Sequence, residues 1–327
     1  MHPDSARELK ARILEQLPAA PVVAADAGTD APWPWVAVGL TPAGAAGARV
    51  AVRLQRDGDR ALLPDLGRAA EQELDVRVIG RVRALRSPTP DELQQRIRPL
   101  SPGISVAHPD VTAGTLGGFV RVGGRTAMLS NNHVLAASDA AAVGDAVLQP
   151  GPADGGGPGD RVATLAAFER FREGLPNLVD AAVALLDAGV GAEPGNVPGG
   201  PLGGLVPDAL DIDPDDTVEK IGRTTGHTHG LVTAVEVDGV AVQYDDVVHR
   251  FDDQIEIQGT AGGFSAGGDS GSVIWRSRDR APVALLFAGS TTGGYDGSGV
   301  TFANPLATVL AVLGAEWLTD LLPPTTR

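Results

Sequence analysis

The chain has no cysteine in 327 residues. That absence removes disulfide bridges, thiolate metal sites and cysteine nucleophiles together, and it suits a reducing compartment. Positive charge is also short: 26 Lys and Arg stand against 41 Asp and Glu, for a net charge of −15. Nothing in that balance would neutralise a phosphate backbone, which argues against a nucleic-acid partner. No apolar run approaches the length needed to cross a bilayer, so no membrane partner is expected. Residues 1–20 alternate charged and apolar positions without the apolar core of a signal peptide, and a cytoplasmic location is expected. Histidine is limited to six, which leaves few candidates for a general base. There is no tandem repeat.

Glycine and proline are plentiful, at 43 and 25. Both exceed average usage and predict many turns and short strands rather than long helices. Ser5 to Leu17 carries apolar residues at Leu9, Ile13 and Leu17 and stops at Pro18, which reads as a short amphipathic helix. Asp26 to Pro34 is turn-rich. Strands Trp35–Leu40 and Val50–Leu54, a helix over Pro64–Leu74 and strand Val76–Val82 complete a small α/β amino-terminal domain, residues 1–85. Residues 86–111 read as a linker with a turn of helix at Asp91–Ile97.

From residue 112 onward the chain is mainly β. Leu116–Val122 and Arg125–Leu129 flank Gly123-Gly124 as a hairpin. Further strands are expected at Ala146–Gln149, Arg161–Phe168, Val179–Leu186, Val218–Ile221 and Leu231–Val237. Asp238-Gly239 is expected to close a hairpin onto Val240–Tyr244. Phe251–Ile257, Gly271–Trp275 and Val283–Ala288 follow. Such a series predicts a β-sandwich or a pair of barrels. Asn304 can cap, and Pro305 open, a terminal helix to about Leu318 with Leu306, Val309, Leu310, Leu313 and Trp317 on its apolar face. The low-complexity loop Gly151–Asp160 reads as exposed and mobile.

One glycine-dense stretch holds an Asp-Ser pair: Gly262-Gly263-Phe264-Ser265-Ala266-Gly267-Gly268-Asp269-Ser270-Gly271-Ser272. Such a turn can present a serine beside bare backbone N–H groups, as a nucleophile and its oxyanion site require. A serine needs a base, and His133 in Ser130-Asn131-Asn132-His133 stands at a strand end. The base needs an orienting acid, and Asp180 heads the apolar run Ala181–Leu186, where a carboxylate is costly unless paired. The order His133, Asp180, Ser270 differs from that of the α/β-hydrolases and subtilisins.

Through Asn132-His133, strand-borne Asp180 and Gly268-Asp269-Ser270-Gly271, residues from about 112 to 314 resemble the chymotrypsin-like (trypsin-like) serine proteases, and 112–327 is expected to be that domain. Gly222-Arg223-Thr224-Thr225-Gly226-His227-Thr228-His229-Gly230 is similar to the bacterial α-lytic protease and streptogrisin branch. Thr112 to Gly117 together with Ser130 to His133 also resemble the plant narrow-leaf-type proteins. The resemblance implies a double β-barrel with a terminal helix and a serine endopeptidase acting on protein or peptide substrates. It assigns Ser270 as nucleophile, His133 as general base and acid, and Asp180 as the residue fixing the imidazole tautomer. The N–H groups of Gly268 and Ser270 form the implied oxyanion hole, where losing one donor typically costs on the order of 10²–10³ in rate. No cofactor is implied. The narrow-leaf likeness implies a homo-oligomer. The departures are the missing disulfides and Ser272 at a position often held by glycine.

Three narrower expectations follow. The α-lytic likeness implies that Arg223 pairs with Asp269 and orders the oxyanion loop without proteolytic activation. Phe264, Ser265, Ala288, Gly289 and Ser290 are expected to line the substrate pocket, and Phe264 predicts cleavage after apolar or small residues. His227 and His229 share a strand face as zinc ligands can, but no third ligand is evident in the sequence, so no metal is expected. The rival reading is a protease-fold regulatory scaffold or binding protein whose triad is little used.

Overall fold

The computed structural model describes residues 1–18, 36–43, 47–79, 82–84, 92–206, 211 and 216–319. The expected turn at 26–34 and the start of the expected linker, 86–91, lie outside the described residues. The amino-terminal part begins with helix α1 (Pro3–Gln16), whose Ala6, Leu9 and Ile13 are buried along one face. Strands β1 (Val36–Pro42) and β2 (Ala48–Leu54) pair antiparallel, from Val36 opposite Leu54 to Pro42 opposite Ala48. The helix expected over Pro64–Leu74 shrinks to one turn, α2 (Arg68–Glu71). Gly67 precedes it at φ +76°, outside helical space, so the helix can start only after that residue. Strand β3 (Leu74–Val78) runs parallel to β2, and β4 (Val82–Ala84) follows.

Residues 92–111 do not cross open solvent. Leu100, Ile104 and Val106 are fully buried in the core of the first barrel. That barrel contains the short pair β5 (Ser105–Val106) and β6 (Gly114–Thr115), then β7 (Gly118–Val122), β8 (Arg125–Ser130) and the helical turn α3 (Asn132–Leu135). Strands β9 (Ala146–Leu148), β10 (Arg161–Phe168) and β11 (Ala182–Leu186) complete it. Its interior is Phe119, Met128, Val147 and Leu165 from the strands, with Leu135 from α3.

The second barrel is built from β12 (Thr217–Gly222), β13 (Gly226–Asp238), β14 (Val240–Tyr244), β15 (Val247–Phe251) and β16 (Gln254–Gly259). Strands β17 (Val273–Arg276), β18 (Pro282–Ser290) and β19 (Thr301–Pro305) close the set. Asp238-Gly239 does not close the expected hairpin. Strand β13 pairs instead with β12, β16 and β1, and β14 pairs with β15 across the turn at Asp245-Asp246. Pairing of β1 with β13 makes the amino-terminal strands an extension of the second barrel's sheet. Arg53 on β2 seals that joint: its guanidinium lies 2.6 Å from Glu256 on β16 and 3.1 Å from Asp75 on β3, fully buried.

The terminal helix α4 covers Leu306–Leu313 and stops at Gly314, φ +58°. Trp317 is therefore not on the helix; it lies in β20 (Glu316–Trp317), paired with β7. Asn304 does not cap α4, because its side chain is committed to Asp180 and Gln254. With β20 placed, the first barrel's six-stranded order is β20-β7-β8-β11-β10-β9. The chain is mainly β with two barrels, amino-terminal α/β elements and a carboxy-terminal helix, as expected. No helix among the described residues is long and apolar enough to cross a membrane.

Candidate active site

His133 and Asp180 meet where the first barrel faces the second. Strand β8 ends at Ser130, and Asn131 opens α3, which sets His133 in its single turn. Asn131 donates from Nδ2 to the Asp180 carbonyl at 2.7 Å, and the Asp180 N–H donates to Asn304 Oδ1 at 3.0 Å. Asp180 is thus held from both barrels' sides, just before β11. Its carboxylate is fully buried but not alone. Oδ1 accepts the His133 backbone N–H at 3.1 Å, and Oδ2 lies 2.5 Å from His133 Nδ1. The hydroxyl of Tyr244 donates to the same Oδ2 at 2.7 Å. Three donors offset the cost of burying the charge.

Burial, reinforced by the Asp180 charge, pushes the Tyr244 phenol well above its ordinary value, so it stays a donor. The Asp180 contact puts the His133 proton on Nδ1 and leaves the Nε2 lone pair free. That nitrogen is buried and has no hydrogen-bond partner among the described residues.

The glycine-rich turn carries Ser270 on a backbone only glycine tolerates at two positions. Gly268 has φ +92° and Gly271 φ +95°. A Cβ on Gly268 would strike the Arg223 guanidinium, and one on Gly271 would strike Ser130 Oγ and the Thr115 carbonyl. Among the described residues, neither the Gly268 N–H nor the Ser270 N–H donates to any protein acceptor. The two carbonyls of the same residues are taken: Thr115 Oγ1 donates to Gly268 O at 2.8 Å, and the Thr115 N–H donates to Ser270 O at 2.8 Å. Ser270 itself is fully buried, and its Oγ donates to Phe287 O at 3.4 Å. No hydrogen bond joins Ser270 to His133 in this conformation.

Asp269 is ordered, but not by Arg223. Its Oδ1 accepts from the Thr224 N–H at 2.9 Å and the Thr225 N–H at 3.2 Å, and Oδ2 accepts from Thr225 Oγ1 at 2.7 Å and the Ala266 N–H at 3.0 Å. The cation beside it is Lys220, 3.3 Å away and equally buried. Arg223 turns the other way and pairs with Asp154. Its backbone N–H donates to Thr115 Oγ1 and its carbonyl accepts from Gln94, and the fully buried guanidinium also donates from Nη1 to Thr224 Oγ1 at 3.1 Å. The Arg223 partner lies in the loop Gly151–Asp160, expected as exposed and mobile; Asp154 is instead a buried anchor.

The pocket assignments also divide. Phe264 is only 2% exposed and packs in the second barrel's core with Ile257 and Ile274, so it does not line an open cleft. The preference for apolar or small residues that rested on it falls with that placement. Ser265 bonds Thr301 Oγ1 at 2.7 Å. Ala288, Gly289 and Ser290 lie side by side on β18 beyond Phe287, but β4 pairs antiparallel along all three, opposite Ala84, Arg83 and Val82. His227 and His229 do share a face of β13, and the neighbouring strand brings Glu219 to them.

Tyr244, Thr115, Asn304 and Lys220 are the residues of this site whose roles the sequence reading missed. Only Lys220 left a signal. In Val218-Glu219-Lys220-Ile221-Gly222 it alternates in phase with Val218, which puts a lysine on the core-facing side of a strand.

No family model matches the chain, and no curated protein matches it. Among solved structures, similar ones include Thermobifida fusca protease A, 16% identical over 68% of this chain and all of that one, with a TM-score of 0.46. The chymotrypsin of Cellulomonas bogoriensis is 18% identical over 68% of this chain and all of its own, with a TM-score of 0.44. A glutamic-acid-specific serine protease is 18% identical over 67% and 100% of the two chains, with a TM-score of 0.46.

Proposed function

We propose that the chain is a serine-type hydrolase of the chymotrypsin-like class that cleaves peptide bonds through Ser270, His133 and Asp180. The observation that carries this reading is the buried Asp180 carboxylate fixing His133 through both the ring and the backbone N–H, with Nε2 left unpartnered. A structural histidine in such a place would be expected to use both ring nitrogens.

In the proposed reaction Ser270 Oγ leaves the Phe287 carbonyl and turns to His133 Nε2. It attacks the scissile carbonyl carbon while Nε2 takes its proton, and Asp180 stabilises the imidazolium. The unengaged N–H groups of Gly268 and Ser270 receive the oxyanion. Collapse breaks the C–N bond and the imidazolium protonates the leaving amine. Water then attacks the acyl-enzyme with His133 again as base, releasing the acid and restoring Ser270.

The second reading is a protease-fold binding module with a little-used triad. The full burial of Ser270 and its bond to Phe287 O favour it. A fluorophosphonate probe separates the two. The hydrolase reading expects one adduct, on Ser270, absent from Ser270→Ala and from His133→Ala. A folded protein that takes no adduct is a binding module instead.

A further inference from the structure

We infer that Glu219, His227 and His229 form a binding site for a zinc-type divalent cation on the outer face of the second barrel. His227 and His229 are two apart on β13 and so project from one face. In the antiparallel register of β12 against β13, Glu219 stands directly opposite His229, with Ile221 opposite His227. Directly opposed residues share a face, so the carboxylate joins both imidazoles. Glu219 Oε2 lies 2.6 Å from His227 Nε2 and 3.6 Å from His229 Nε2, and the three donor atoms lie within 4.8 Å of one another.

Zinc binds imidazole nitrogen and carboxylate oxygen at about 2.0–2.2 Å, which puts donors about 3.4 Å apart in a tetrahedron. The observed separations bracket that spacing, and small side-chain rotations would reach it. Two imidazoles and one carboxylate are a donor set zinc accepts, with the fourth position free for water.

The surroundings fit a ligand site better than a lone ion pair. Both imidazoles converge on one oxygen, Glu219 Oε2, and their centroids are only 4.6 Å apart. Trp275 on β17 is the register neighbour of Glu219 on its other side, and its buried indole stacks on the His227 ring at 5.9 Å and 18°. That wall restrains the ring plane. The donors stay reachable: the side chains of Glu219, His227 and His229 are 13%, 32% and 52% exposed. Thr228, between the histidines, faces inward and bonds the Phe264 carbonyl, which sets this site on the side of the strand away from the barrel core. A bound ion would cross-link β12 and β13 immediately beyond the Thr224-Thr225 turn that holds Asp269. The inference does not depend on the hydrolase reading.

The test is calorimetric titration of the tag-free full chain with Zn²⁺ after chelator treatment and dialysis, with tryptophan fluorescence followed in parallel. One equivalent should bind with micromolar or tighter affinity, alter the emission, and raise the melting temperature at saturation. Glu219→Gln should weaken binding about 10- to 100-fold, and the His227→Ala/His229→Ala double variant at least as much. The single variant His229→Gln removes the most exposed ligand with least risk to folding, and it should also lose affinity. His249→Ala, on β15, should bind like the wild type. No binding by the wild type overturns the site, as does undiminished affinity in folded Glu219→Gln and His229→Gln.

Discussion

Tyr244 donates to the same carboxylate oxygen of Asp180 that faces His133 Nδ1, so the phenol and the imidazole share one acceptor. The sharing draws charge away from the imidazole. Tyr244→Phe should therefore leave the buried Asp180 carboxylate one donor short and less firmly held. Losing a hydrogen bond to a buried carboxylate costs roughly 1.5–3 kcal/mol of stability, which urea denaturation should read, and labelling of Ser270 should slow as His133 loses a firmly held partner. Unchanged stability and an unchanged labelling rate would show that Tyr244 only packs.

Lys220 and Asp269 are both fully buried, 3.3 Å apart. Burial pushes the Lys220 ammonium below its ordinary range, and the Asp269 charge pulls it partly back. Lys220→Met keeps the stem volume and removes the cation. Breaking a buried pair from one side typically costs about 3–5 kcal/mol, and urea denaturation should read a loss of that size. Labelling of Ser270 should slow with it, because Asp269 immediately precedes that serine. Arg223→Ala removes the partner of Asp154 and the donor to Thr224 Oγ1 but none of the direct Asp269 contacts, so it should slow labelling less than Lys220→Met does.

Strand β4 lies along Ala288, Gly289 and Ser290, just beyond Leu286 and Phe287, which bond the serine turn. Proline removes a ladder donor and is poorly tolerated within a sheet. Arg83→Pro should loosen this pairing and speed fluorophosphonate labelling by about ten-fold. Equal rates in variant and wild type would mean that β4 does not limit access to Ser270.

His249 supplies a pH dependence of stability. Burial lowers its imidazole below the usual value of 6.5, against the upward pull of Asp139, Asp180 and Glu173. The unfolded chain therefore binds the proton more readily. Stability is fully present above the unfolded value and falls as pH drops below about 6.5. His249→Gln should flatten that part of the curve in urea melts at pH 7.5 and 5.5. An unchanged slope would assign it to other groups.

The glycine-rich serine turn, the His–Asp pair and most strand positions were legible in the sequence because each has a local signature. Gly268 and Gly271 need positive φ, Asp180 is a charge at the head of an apolar strand, and burial alternates cleanly along β12. What stayed hidden depends on partners far along the chain. Nothing near Arg223 says that Asp154 rather than Asp269 receives it, since that choice is made by the path of the Gly151–Asp160 loop. Asn304 reads as a helix cap until Asp180, 124 residues away, takes its side chain. Phe264 looks like a pocket wall beside a catalytic serine, but the pleat of the neighbouring strands turns it into the core. The zinc-type cluster is of the same kind, because Glu219 joins the two histidines only through the β12–β13 register.

Thr115 belongs to the first barrel, yet it grips Gly268 O and Ser270 O of the second and the N–H of Arg223 besides. The seam between the barrels therefore runs through the serine turn itself. Any sliding of one barrel against the other becomes a displacement of the Ser270 peptide, so forces applied at distant ends of the molecule meet at one residue.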